Sequence, residues 1–177
     1  MGTTEQQRTL DREFVDDFAE HHAEAWAARD PEWIAQGCTE DVVWFDPALR
    51  EPLHGRDAVR RFATETFRMV PDFVVTPTDR PCISLTEPRV LLPYRMTGTM
   101  TGPWEFLDLA PTGRSFEVDG VDSWEMRDGL IARYRTFYDG LELSRQLGFL
   151  PPAGSRRDRA MAGVQRVQAR FQRRSGR

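Results

Sequence analysis

The sequence predicts an α+β fold in which N-terminal helices close one side of a curved antiparallel sheet, leaving a cone with one open mouth. Apolar residues recur at helical spacing in the first half of the chain, whereas strand-like segments separated by turn residues follow in the second half. At 177 residues, the chain is long enough for one domain with a sizeable core. We expect this domain over residues 1–152, followed by a distinct tail over residues 153–177.

Three helices are expected before the long strands. Residues 10–29 contain no proline or glycine, which favours an uninterrupted first helix. Its apolar stripe recurs at every fourth position, at Phe14, Phe18, His22 and Trp26. Asp30 and Pro31 are typical of the cap and first turn of a second helix. Residues 55–70 form a third amphipathic segment that ends before Pro71.

Strand patterns account for most of the remaining domain. The expected strands cover residues 39–47, 73–78, 82–86, 89–102, 115–127 and 130–138. Asp128 and Gly129 are the pair typical of a tight hairpin, so the last two strands should be neighbours. Pro93 donates no backbone hydrogen bond, which predicts a bulge or an edge at that position.

Asp46 is the first candidate catalytic residue. It lies on the same side of its strand as Val42 and Trp44, because side chains alternate across a strand. A carboxyl group among apolar neighbours loses hydration, which raises its pKa toward neutral pH and suits it to proton transfer. The Asp-Pro pair is also a common turn signal, so Asp46 could instead cap a turn at Pro47.

Asp122 and His22 complete the candidate catalytic set. Asp122 interrupts an apolar row formed by Phe116, Val118, Gly120, Trp124 and Met126. His22 lies on the apolar stripe of the first helix, where a histidine is often only a core residue. With two inward aspartates as possible partners, a role in the site becomes equally plausible. We expect His22 and Asp122 to pair and to raise the pKa of the histidine.

Six residues are expected to contact a substrate. They are Trp44, Tyr94, Met96, Trp104, Phe106 and Trp124. On the strand at residues 89–102, either of the two alternating rows could line a cavity. The loop at residues 102–114 is apolar without a strand pattern, so it could form the rim of a pocket or simply pack against the body.

Composition excludes several classes of chemistry. All 24 basic residues are arginine, which rules out a Schiff-base lysine, a phosphate-loop lysine and a lysine general base. The three histidines and two cysteines lack metal-ligand spacing, so we expect neither a metal site nor a cofactor. The N-terminus is polar, and no apolar run approaches the roughly 20 residues of a membrane span. A cytoplasmic location is expected.

Two segments carry a resemblance to known families. Residues 22–62, with FDP at 45–47 and GRDAVRRF at 55–62, resemble the first half of bacterial ketosteroid isomerases. Residues 98–150, with PTGR at 111–114 and VDSW at 121–124, look like the SnoaL-like polyketide cyclases. Both families belong to the nuclear-transport-factor-2-like superfamily, whose fold is a cone closed by helices. The resemblance extends over about residues 10–152.

The resemblance implies roles for the three candidate residues. Asp46 matches the aspartate that shuttles a proton in ketosteroid isomerase, and Asp122 matches the aspartic acid that stabilises the enolate oxygen. His22 stands where the isomerase has a tyrosine, which favours SnoaL-like cyclisation, because those cyclases often use histidine and aspartate. The implied protein is a cofactor-free enzyme that cyclises or isomerises an apolar, oxygenated polyketide- or terpenoid-like carbonyl substrate.

Two alternative functions remain open. Limonene epoxide hydrolase has the same fold and needs an Arg-x-Asp unit, whereas this chain has Arg95 followed by Met96 and Thr97. Asp139 matches the distal aspartate of that hydrolase, although it also reads as a helix cap. A non-catalytic module could instead use the cone to hold a ligand, or the open sheet face to dimerise. We expect a homodimer.

The tail differs in charge from the rest of the chain. Residues 155–177 contain eight arginines and one acid, a charge of +7, which leaves −11 for the preceding residues of a chain with net charge −4. A helical stripe continues through Met161, Val164, Val167 and Phe171. We expect this tail to dock on the acidic body or a neighbouring subunit, or to be partly disordered, rather than to contact an anionic membrane. No nucleic-acid partner is expected.

Overall fold

The structure is a computed structural model that describes residues 10–160, 163–164 and 166. Its α-helices are α1 (Arg12–Ala27), α2 (Pro31–Gln36), α3 (Arg56–Met69) and α4 (Gly140–Gln146). Its strands are β1 (Cys38–Phe45), β2 (Leu53–His54), β3 (Val74–Pro77), β4 (Cys82–Ile83), β5 (Arg89–Thr99), β6 (Ser115–Arg127) and β7 (Leu130–Tyr138). A short 3₁₀ helix at Glu105–Leu107 interrupts the loop between β5 and β6.

The predicted α+β class is confirmed, with one correction to the sheet. The strand order is β2-β1-β7-β6-β5-β3, and β4 also pairs with β5. The sheet is curved and unclosed, but it is mixed rather than antiparallel, because β1 pairs with β7 in parallel. These two strands are separated by most of the domain, so no hairpin turn between them imposes an antiparallel pairing. The two-residue strand β2 was not predicted.

Side-chain caps confirm the predicted starts of α2 and α4. The Asp30 carboxylate accepts hydrogen bonds of 3.0 Å from the backbone N–H groups of Glu32 and Trp33, and Pro31 occupies the first turn of α2. Asp139 caps α4 in the same way. Both caps satisfy backbone donors that would otherwise have no partner.

Pro93 lies in the ladder without a bulge toward β6. The pairing of β5 with β6 is continuous from Arg89 to Thr99. On its other side, β5 pairs with β4 before Pro93 and with β3 after it, so the missing donor falls in the gap between those two strands. The Pro93 carbonyl still accepts a hydrogen bond of 3.0 Å from Thr78 N. Of the two expected alternatives, a bulge toward β6 is absent, whereas Pro93 lies at a local edge of β5 in the gap between β4 and β3.

A tight turn and a bulge set the register of β6 and β7. Asp128 and Gly129 have φ values of 53° and 78°, the two positive values that a type I′ hairpin requires. Glu125 pairs with Arg133 and Met126 with Ile131, so Ala132 is an extra residue in β7. Beyond this bulge, the buried residues of β7 are Tyr134 and Thr136.

The tail lies largely outside the described residues. Residues 156–160 are helical, and the boundary near residue 152 stays a prediction. Met161, Val167 and Phe171 of the predicted tail stripe belong to the part that is not described, so the basic C-terminal helix also stays a prediction. Within residues 10–160, no helix combines the length and the apolar character that crossing a membrane requires.

Candidate active site

The three predicted catalytic residues line one cavity between the helices and the inner face of the sheet. His22, Asp46 and Asp122 all contribute to its wall. Its volume is about 90 Å³, counted as space open to the centres of water molecules. One water needs roughly 10–15 Å³ of such space, so the cavity holds several waters or a small part of a substrate. The remaining wall is mostly apolar and aromatic.

Asp46 follows the end of β1, where it closes the predicted turn and also lines the cavity. Its Oδ1 accepts a hydrogen bond of 2.7 Å from the Ala48 N–H, which closes the turn, and another of 2.9 Å from the Tyr138 hydroxyl. The residue is partly exposed, yet burial of the carboxyl group raises its pKa above the usual range. The two donors oppose this rise because they stabilise the charged form.

Asp122 is more deeply buried, on the inner face of β6. Its Oδ1 accepts a hydrogen bond of 2.6 Å from the Tyr134 hydroxyl. Loss of hydration raises the pKa of Asp122 to about 7, and the charge of Asp46 adds to that rise. The Thr136 hydroxyl and the Trp124 indole favour the charged form. The Trp124 Nε1–H forms no hydrogen bond with Asp122 or with any other described residue, so its effect on Asp122 is only that of a nearby dipole.

One row of β7 supplies hydroxyl groups that the sequence analysis did not identify. Tyr134, Thr136 and Tyr138 all line the cavity. Thr136 pairs with Asp122 across the two strands, and Tyr134 and Tyr138 lie two residues to either side of it. Desolvation and the nearby carboxylates raise the pKa of both tyrosines, so they remain protonated donors at neutral pH.

Tyr94 extends this polar cluster from β5. Its hydroxyl forms a hydrogen bond of 2.5 Å with Thr136 Oγ1. The ring packs over Gly120, where a Cβ atom would lie 2.5 Å from the Tyr94 hydroxyl oxygen and 2.8 Å from the Phe137 carbonyl oxygen. Any side chain at Gly120 would therefore displace the Tyr94 ring. The inward row of β5 is the one that carries Tyr94 and Met96, which settles the choice left open by the sequence.

The predicted pair of His22 with Asp122 is wrong. His22 Nε2 instead accepts a hydrogen bond of 3.0 Å from Trp26 Nε1, one helical turn away, and its ring packs against Trp124 with ring centroids 4.9 Å apart. Among residues 10–160, no hydrogen bond or ion pair joins His22 to Asp122. Burial lowers the pKa of His22 to about 4, so the ring is neutral at physiological pH. Helical periodicity identified the inward face but not the desolvation of the ring.

Four of the six predicted substrate contacts line the cavity, namely Trp44, Tyr94, Met96 and Trp104. The Trp44 ring stacks on Tyr134 with centroids 3.4 Å apart. Phe106 instead packs on Phe62, with ring centroids 5.8 Å apart, and Trp124 is fully buried behind His22. The structure does not place Phe106 and Trp124 in the cavity wall. The apolar loop thus combines both expected functions, since Trp104 reaches the cavity while Phe106 packs against the core.

A metal site is not apparent in the part of the chain that the structure describes. No cluster there brings together three or more histidine, cysteine, aspartate or glutamate side chains. The arrangement provides two carboxyl groups with raised pKa values, each with a tyrosine donor, in a largely apolar cavity. Asp122, with a pKa of about 7, can exchange protons with a bound molecule near neutral pH, and burial shifts the pKa of Asp46 in the same direction.

Comparison with known proteins places these residues in a family. The model of the SnoaL-like domain matches residues 19–134, about two thirds of the chain. The chain belongs to the SnoaL-like domain family. The predicted resemblance is therefore confirmed. No curated protein matches the sequence of this SnoaL-like chain.

Solved structures support the same assignment. TsrD from Streptomyces laurentii is 27% identical with a TM-score of 0.68, and the match covers 80% of this chain and 99% of TsrD. IdmH from Streptomyces antibioticus, named as a candidate polyketide cyclase, is 26% identical with a TM-score of 0.58, over 75% of this chain and 96% of IdmH. A candidate SnoaL-like polyketide cyclase from Jannaschia sp. CCS1, 19% identical with a TM-score of 0.67, covers 82% of this chain and 99% of its own, and shares the fold.

Proposed function

We propose that this SnoaL-like protein is an acid–base enzyme that removes a proton beside a carbonyl group of an apolar, polyketide- or terpenoid-like substrate. The reaction then proceeds by ring closure or by migration of a double bond. The observation that carries the proposal is the presence of Asp46 and Asp122, both with raised pKa values, in the wall of one cavity. Groups that titrate near neutral pH transfer protons most effectively there.

The two carboxyl groups have different surroundings, which favours different roles. Asp46 is partly exposed and accepts two hydrogen bonds, so its ionised form suits the general base. Asp122 is fully enclosed, with a pKa of about 7, and its protonated form can donate to the carbonyl oxygen of the substrate. A carboxylate and a neutral acid in one site also avoid the repulsion between two negative charges.

The proton balance follows from these roles. Asp46 takes a proton from the carbon beside the carbonyl, and the electrons of the C–H bond form an enolate whose oxygen accepts a hydrogen bond from Asp122. In isomerisation, Asp46 returns the proton to a different carbon. In cyclisation, the enolate carbon attacks a second carbonyl of the substrate, and the resulting alkoxide takes up the proton. The neutral His22 holds the Trp26 indole and shapes the wall instead of carrying charge.

The names and identities of relatives support this class of reaction. IdmH is named as a candidate polyketide cyclase, and it is 26% identical to this chain over most of both chains. The wall of the cavity is mostly apolar and aromatic, which suits such a substrate. The aromatic contacts Trp44, Tyr94 and Trp104 would then flank the bound molecule.

The epoxide hydrolase alternative has less support. Arg95 lies on the outer face of β5, where it is exposed and binds Asp119 with a hydrogen bond of 2.7 Å. Asp139 is occupied as the cap of α4. Neither side chain is among the described residues that line the cavity. A non-catalytic binding module remains the competing class, and proton exchange separates it from an enzyme.

Proton exchange at a model substrate tests the proposal. Methyl 3-oxohexanoate, dissolved in D₂O with the protein, should lose its C2 protons faster than in buffer alone, as measured by NMR. Asp46→Asn should lower that rate by at least ~10²-fold with little change in binding, as expected for loss of a general base. Asp41→Asn, on the exposed side of the same strand, is the matched control and should exchange normally. Binding without any catalysed exchange would favour the non-catalytic module.

A further inference from the structure

A second apolar space adjoins the cavity that contains Asp46 and Asp122. It has a volume of about 350 Å³, and we refer to it as the distal groove. The two spaces share five wall residues, namely Ala48, Trp104, Tyr138, Leu143 and Leu147. The distal groove and the cavity therefore adjoin each other along these five residues.

The wall of the distal groove is mostly apolar, and the polar groups of its described side chains are the Ser144 and Tyr138 hydroxyls and the Trp104 indole N–H. Its further walls include Leu107, Leu109, Phe149 and Leu150. Ser144 also lines it, but the Ser144 hydroxyl already donates a hydrogen bond of 2.6 Å to the Gly140 carbonyl. The Tyr138 hydroxyl is likewise used, because it donates to Asp46. The groove therefore suits an apolar group and disfavours one that needs hydrogen bonds.

Asp46 lies where the two spaces meet. The next two residues, Pro47 and Ala48, line the distal groove, and Ala48 lines the cavity as well. The Tyr138 side chain also contributes to both walls while its hydroxyl binds Asp46. A molecule whose reacting carbon is beside Asp46 would thus have its carbonyl directed toward Asp122 and its other end directed into the groove.

We propose that the distal groove binds an apolar extension of the substrate, so that the substrate is an elongated carbonyl compound whose reacting carbon lies near one end. This inference rests on the proposed function for the orientation of the substrate. The sizes agree with it, because the cavity of about 90 Å³ holds only a reacting end, whereas the groove of about 350 Å³ holds an alkyl chain or a further ring.

Binding of a homologous series tests the groove. Methyl 3-oxoalkanoates with acyl chains of increasing length are titrated into the protein by isothermal calorimetry. Each added methylene that enters the groove should tighten binding by roughly 4-fold, as expected for burial of one CH₂ group, until the groove is filled. Affinity that does not change with chain length would overturn the inference.

Substitutions in α4 locate the effect. Ser144→Trp fills the groove and should reduce the affinity for the longest ester to that of the shortest one, while the shortest ester binds as before. Leu141→Trp is the matched control on the same helix, because Leu141 is 51% exposed and lies outside both walls. The control should keep the full dependence on chain length. An equal loss of affinity for short and long esters in Ser144→Trp would contradict the inference.

A second variant guards against misfolding of the first. Phe149→Ala enlarges the groove, so affinity should go on rising to a longer chain before it levels off, whereas an unchanged limiting chain length would contradict the inference. The exchange assay separates this inference from the proposed function. Dependence on chain length without catalysed exchange would leave the groove supported and the enzyme refuted. Catalysed exchange without dependence on chain length would support the enzyme and refute the groove.

Discussion

The Tyr134 hydroxyl donates a hydrogen bond of 2.6 Å to Asp122 Oδ1, and both residues are buried on neighbouring strands. Tyr138, four residues further along β7, donates to Asp46 in the same way. One strand therefore provides a phenolic donor to each of the two acids. Trp44 stacks on Tyr134 and fixes the position of its ring. The two acids are held separately, which allows their charge states to differ.

Burial of Asp122 should make stability depend on pH. The pKa of Asp122 rises from about 3.9 in the unfolded chain to about 7 in the folded protein. As pH rises between these two values, Asp122 ionises in the unfolded chain but not in the folded protein. The free energy of unfolding should therefore fall over this pH range. Asp122→Asn removes the free-energy cost of burying an ionised carboxyl group. Its free energy of unfolding should exceed that of the natural protein by roughly 4 kcal/mol at pH 8 and differ little from it at pH 4. Urea unfolding of both proteins across this range measures the difference. A constant difference would contradict the shifted pKa.

His22 should have the opposite dependence on pH. Its pKa falls from about 6.5 in the unfolded chain to about 4 in the fold, so its contribution is complete above pH 6.5 and is lost as pH falls toward 4. His22→Gln keeps an acceptor for the Trp26 indole and should remove this part of the acid sensitivity. An NMR titration should find His22 still neutral at pH 5. A measured His22 pKa above 6.5 would contradict this prediction and would support the pairing of His22 with Asp122.

The sequence was sufficient to predict the inward positions of Asp46 and Asp122, because simple alternation holds through β1 near Trp44 and through the whole of β6. It was not sufficient for β7. Alternation from the buried Ile131 would place Arg133 inward and Tyr134 outward, but the extra residue Ala132 reverses the pattern. The bulge at Ala132 depends on pairing with a distant strand, so the local sequence pattern did not predict it.

Side-chain partners were harder to predict than positions. His22 was correctly placed on the inward face of α1, yet its partner is Trp26 one turn away rather than an acid from the sheet. The 16 residues of α1 fix which side chains face inward, but not the few ångströms that decide a hydrogen bond. Similarly, Phe106 belongs to a loop without periodicity, so only the fold could show that it packs on Phe62.

The outer face of the sheet should mediate formation of a homodimer. Pro93, Val121 and Phe137 are opposite one another on β5, β6 and β7, which gives an apolar row across three strands, and Phe137 is 53% exposed. An apolar row flanked by charged residues is typical of an interface between copies. Phe137→Arg should shift the protein toward monomers in sedimentation velocity, whereas Leu85→Arg, at an exposed site off the sheet face, should not. Equal behaviour of both variants would refute this interface.

Removal of the arginine-rich tail should leave the proposed chemistry intact. A chain that ends at Pro152 retains every described residue that lines the cavity or the distal groove. We expect it to fold, and to catalyse exchange at the rate of the full chain. Changes should be confined to solubility or to association that weakens with salt, because the removed segment carries +7 against a body of −11. Loss of the fold on truncation would show that the domain boundary is wrong.

The central claim is that one cavity holds Asp46 as a carboxylate beside Asp122, whose pKa of about 7 leaves it partly protonated at neutral pH. The most direct test is a ¹³C NMR titration of protein labelled at the aspartate carboxyl carbons, with Asp46→Asn and Asp122→Asn used to assign the signals. The account predicts that Asp122 titrates at a pKa of about 7, and that this pKa falls when the charge of Asp46 is removed. An Asp122 signal that titrates near 3.9 and does not respond to Asp46→Asn would contradict it.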